Sequence, residues 1–123
     1  MIQLKSPEEI ELCALAADLV SRTLGILAPR VVPGVSPLEL DRLAEEFIRD
    51  SGGIPAFKGL YGFPNTLCIS PNDQVVHGIP GNAPMRDGDI VSVDCGVKIN
   101  GFIGDQAFTF GVGAITPEAQ RLL

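Results

Sequence analysis

Residues Ile90 to Phe110, IVSVDCGVKINGFIGDQAFTF, decide the fold. Two alternating runs flank Asn100-Gly101, the pair favoured in a type I′ turn because both central residues need positive φ. With Ile99 and Phe102 bracketing that turn, Gly96 faces Asp105 and Asp94 faces Ala107. Residues two apart on a strand share a face, so Asp94 and Asp105 become diagonal neighbours, their Cβ atoms roughly 7 Å apart or less. The other face collects Val91, Val93, Cys95 and Val97 with Phe108 and Phe110, and is expected to be core. Two carboxylates on one face of so apolar a hairpin repel unless a positive charge lies between them. Read from spacing alone, the pair is half of a metal site. Mn, Fe, Co or Zn takes four to six ligands, and Asp73, Asp87 and Asp89 nearby are expected to serve turns.

Working outward, Ser6-Pro7-Glu8-Glu9 and Ser36-Pro37-Leu38-Glu39 are two capping boxes with proline at the first helical position. The first helix is expected to carry an apolar stripe of Ile10, Leu12, Leu15, Leu19, Val20, Leu24 and Leu27, closing near Pro29. The second runs through Leu40, Leu43, Phe47 and Ile48 to Ser51-Gly52-Gly53. Both read as covers for one sheet face, without a functional role. Residues 54–88 are dense in glycine and proline. Phe57, Leu60, Phe63 and Cys68 there suit either packing under a loop or a pocket for an apolar side chain. His77, the only histidine, precedes Gly78 and Pro80, which force a turn. Its imidazole can donate or accept a hydrogen bond near neutral pH.

The chain has 123 residues, the size of one domain, and a formal charge of −6. That acidity argues against nucleic acid or an anionic membrane surface as partner. Three separated cysteines without a CxxC pair suit reduced thiols of a cytoplasmic protein. No apolar run reaches membrane-span length, and no signal-peptide pattern is present. A mean hydropathy of +0.28 is high for so small a domain, and points to apolar surface that meets a partner.

FKGLYGFPNTLCISPNDQVVHGIP, RDGDIVSVDCGVKINGFIGD and FTFGVG together resemble the N-terminal half of type I methionine aminopeptidases, the HGIP and D-x10-D elements being the specific ones. The resemblance implies an α+β fold: half of a pita-bread fold, an antiparallel sheet covered on one face by two helices. It implies two divalent cations (Co, Mn, Fe or Zn), with Asp94 and Asp105 as ligands and Asp105 bridging. It places His77 near the scissile bond, and Phe57, Leu60, Phe63 and Cys68 in the methionine pocket. The implied substrates are peptides and nascent proteins with N-terminal methionine. Leu60 stands where many members have tyrosine, and Asp73 where glutamate is common.

The family's site also needs a histidine and two glutamates, plus a second catalytic histidine, from a similar second half. Residues 1–123 are therefore expected to be the N-terminal half of a longer catalytic domain, inactive and weak in metal affinity alone. The missing half, or a second copy of this chain, would cover its open edge. The alternatives are a non-catalytic pita-bread protein-binding module and a prolidase or aminopeptidase P type of peptidase. Retention of Asp94, Asp105 and His77 together weighs against the first, and the HGIP surroundings against the second.

Overall fold

The computed structural model describes residues 1–123. Helix α1 spans Pro7–Leu27 and α2 Pro37–Asp50; strands β1 (Ile54–Pro55), β2 (Leu67–Pro71), β3 (Ile90–Ile99) and β4 (Phe102–Gly111) follow, then a short α3 (Pro117–Leu122). Each capping box forms as its sequence dictates. Ser6 and Ser36 accept from the backbone N–H of Glu9 and Glu39, whose carboxylates accept in return from the serine N–H groups. Both helix starts are thereby satisfied locally, before any packing.

β3 is the centre of the sheet. β4 pairs with it antiparallel along its whole length, from Ile90↔Gly111 to Ile99↔Phe102, through Asn100 (φ 50°) and Gly101 (φ 81°). The other edge of β3 is shared end to end by β2, opposite residues 91–95, and β1, opposite residues 97–98. α1 lies across β3 and β4, and α2 sits beside β1 and β2, so both helices cover one face, as the sequence leads one to expect. Gly104 is where α1 comes closest, since a Cβ there would enter the helix backbone at Ala16 and Ala17.

The core between helices and sheet joins Leu19, Val20, Leu27, Leu40 and Ile48 to Val91, Val93 and Val97, all buried. Burying each such side chain contributes about 1.5–3 kcal/mol. Two expectations fail here. Phe108, on the core face by parity, is 55% exposed on β4, the outer strand of the sheet, and Phe110 is only half-buried beside it. Ile10 (56%) and Leu15 (53%) also stay exposed, leaving the buried stripe of α1 to begin at Ala16. The buried residues of α1 fall within Ala16–Leu27, and hydrophobic period alone does not report where along a helix its neighbour begins.

Candidate metal centre

The uncovered face of the sheet holds the acid pair. Registers Asp94↔Ala107 and Gly96↔Asp105 put both carboxyls on that face, with Cys68 directly across from Asp94 on β2. Gly96 lies between them, and a Cβ there would strike the Phe57 ring. The ring therefore sits on the strand beside Asp94, which is partly buried, while Asp105 stays exposed. Burial, then the hydrogen bond and charge of Asp105, push the Asp94 carboxyl up from 3.8 to about 6, partly offset by His77. Asp94 Oδ1 is buried with no hydrogen-bond partner. Burial and the charges of Asp94, Asp105 and Asp41 likewise raise the Cys68 thiol to about 11, so it stays protonated and apolar at neutral pH.

These features fit a divalent cation. It would satisfy the orphaned oxygen and offset the burial and the neighbouring charge that raise the proton affinity of Asp94. They do not complete a site, because no group of three or more His, Cys, Asp or Glu side chains in residues 1–123 is placed so that it could hold a metal ion together. Asp87 and Asp89 are occupied elsewhere, accepting from Ala114 N–H and from Arg86 N–H and Asn72 respectively.

An apolar cleft of about 470 Å³ ends on the pair. Phe57, Leu60, Phe63 and Cys68 all line it, together with His77, Asp94 and Asp105, so the structure gathers every residue singled out from sequence into one place. Tyr61, Pro64 and Ile79 complete the walls; no periodicity marks them, since they come from turns. His77 takes φ 58° and is exposed at the mouth. Its placement rests on Gly78, whose C=O accepts from Ile69 N–H (2.9 Å) and whose N–H donates to Ser70 Oγ (3.0 Å). A Cβ on residue 78 would collide with the Ile69 carbonyl oxygen, so the turn can dock on β2 only as glycine.

The model of metallopeptidase family M24 matches residues 11–123. The chain belongs to this family. It is 55% identical to a methionine aminopeptidase from Clostridium perfringens over 123 residues, all of this chain and 49% of that protein. Methionine aminopeptidase from Rickettsia prowazekii superposes with a TM-score of 0.95 at 35% identity, over 99% of this chain and 49% of that one. The M24 chain thus spans about half the length of these relatives, and its sheet-and-helix architecture is half of their pita-bread fold. A prolidase from Pyrococcus furiosus, 21% identical with a TM-score of 0.83, shares the fold alone. M24 membership implies divalent metal ions as cofactors. No helix is long and apolar enough to cross a membrane.

Two outcomes test this geometry. Gly78→Ala is expected to cost roughly 1–3 kcal/mol, read from the denaturant midpoint, and to shift the His77 ring resonances. Gly81→Ala, with open space around its Cβ, serves as the neutral control. The second outcome concerns pH. Because the folded Asp94 carboxyl lies near 6 and its ordinary value is 3.8, its contribution is fully present below about pH 4 and lost as pH rises through about 6. Metal-free protein should therefore gain melting temperature between about pH 7 and pH 5, and Asp94→Asn should remove that part of the gain. An identical pH profile in the variant would contradict the burial-driven shift.

Proposed function

We propose that residues 1–123 are the N-terminal half of a catalytic domain that removes N-terminal methionine from peptides and newly made proteins. The observation that carries this reading is the apolar cleft that the Asp94/Asp105 pair helps to line. An unbranched apolar side chain fills such a cleft, and Phe57, Phe63 and the neutral Cys68 thiol offer it soft, dry contacts. Two carboxylates beyond it favour a chain that begins there with a free amine, over one that continues.

Asp94 and Asp105 are the residues that would hold the metal, Asp94 through its unpartnered oxygen. Divalent metal held there would supply Lewis-acid chemistry for peptide hydrolysis. His77, at the cleft mouth, donates a hydrogen bond to the scissile peptide group and polarises it, an electrostatic contribution. The remaining ligands come from residues beyond these 123. The open edge of β4, where Ile103 and Phe108 are more than half exposed, is the side on which the other half of the domain, or a second copy, would join.

The test is a substrate panel on the full-length protein with Mn or Co. Cleavage of Met-Ala-Ser, and not of Xaa-Pro dipeptides or longer Xaa-Pro peptides, is expected. His77→Ala should lower kcat/KM by about two to three orders of magnitude and leave metal affinity unchanged. Preferred cleavage of Xaa-Pro would transfer the assignment to prolidase-type chemistry. Absence of any cleavage, together with metal-independent binding of a protein partner, would favour the non-catalytic module.

A further inference from the structure

The cover helix α2 carries a buried acid that the proposed chemistry does not use. Asp41 is 4% exposed. Its Oδ1 accepts from the backbone N–H groups of Thr66 (3.0 Å) and Leu67 (2.7 Å), and its Oδ2 from Asn65 Nδ2 (2.9 Å). One helical turn on, Glu45 Oε2 accepts from Lys58 Nζ at 2.7 Å. Two acids on one face of α2 therefore grip the two ends of residues 58–67, the segment that forms the aromatic wall of the cleft.

Between those ends the segment is bonded chiefly to itself. Gly59 N–H donates to Phe63 C=O, Leu60 N–H to Phe57 C=O and Phe63 N–H to Leu60 C=O. Gly59, Tyr61 and Gly62 all take positive φ. Such a loop holds its own shape, and its position against the sheet depends on its anchors. The anchors differ in strength. Lys58 and Glu45 are partly exposed and weakly coupled. Asp41 is buried and multiply hydrogen-bonded, the circumstance in which a carboxylate bond is strong and its loss severe.

Asp41 also completes the outer edge of β2. Leu67 N–H goes to Asp41, while two residues on Ile69 N–H goes to Gly78 C=O. The strand that presents Cys68 opposite Asp94 is thus held at its start by α2 and further on by the turn bearing His77.

We infer that Asp41 is a positioning residue that sets the width of the apolar cleft from behind, and so governs which first side chain is accepted, without touching substrate or metal. This rests on the methionine-cleft reading above. The test uses the full-length protein bearing Asp41→Ala, Asp41→Asn or Asn65→Ala. In Asp41→Ala, KM for Met-Ala-Ser should rise about tenfold while kcat changes less than about threefold, and the preference for methionine over leucine at the first position should fall in parallel. Deuterium uptake at residues 65–69 of the metal-free protein should accelerate, and Mn affinity should stay within about twofold of the parent.

Asp41→Asn keeps one oxygen for the two backbone donors and should fall between parent and Asp41→Ala. Asn65→Ala, which removes only the third donor, should shift exchange and selectivity slightly in the same direction. These two variants carry the test if Asp41→Ala does not fold. Unchanged methionine preference across the folded variants, or a loss of Mn affinity as large as the rise in KM, overturns the inference. A parent protein with no methionine preference overturns the cleft reading instead, and the role assigned to Asp41 falls with it.

Discussion

The structure depends on one pairing: β3 against β4, in the register that Asn100-Gly101 imposes. A shift of one residue would turn every side chain of one strand to the opposite face. Asp105 would then enter the core beside α1, and the buried valines of β3 would lose their partners. In the observed register the apolar alternation and the acid pair agree. The face that must be dry contains Val91, Val93 and Val97, and the two like charges lie together on the face the helices leave open.

That arrangement leaves a local conflict. A pair of carboxyls sharing one face beside an aromatic ring is unfavourable, as the raised Asp94 proton affinity and its unbonded oxygen register. The rest of the fold resists relaxing it. The Phe57 ring occupies the only vacant space over Gly96, β2 is pinned along its outer edge by Asp41 and Gly78, and α1 meets β4 at backbone distance through Gly104. Two acids held together in this way need support behind them, because side chains free to rotate would separate instead. The covering helices thus share the work of the open face.

Much of this was legible from the letters. Helix starts follow from Ser-Pro-Xaa-Glu because the capping groups lie within three residues of each other, and the hairpin follows from alternation about Asn-Gly. Where the reading failed, the deciding neighbour was remote. Phe108, Ile10 and Leu15 sit on the right faces of the right elements, yet each is more than half exposed, because which stretch of an element a remote neighbour covers is something no local period reports. Asp41 passes for a surface helix acid until the chain folds Asn65, Thr66 and Leu67 against it, 24–26 residues away. Tyr61 joins the cleft through a turn with Gly59 and Gly62 at positive φ, and Ile79 through one in which His77 takes positive φ.

The sequence by itself determined the two capped helices, the β3–β4 hairpin with its register and the shared face of Asp94 and Asp105, since each rests on interactions between residues close along the chain. Only the tertiary structure decided that Phe57, Cys68 and His77 converge on that face and that Asp41 holds the wall in place. These contacts join segments that chain connectivity leaves independent. Their geometry is set by close packing, where a single missing Cβ decides whether backbone can meet backbone, as at Gly78 against Ile69, or an aromatic ring, as at Gly96 against Phe57.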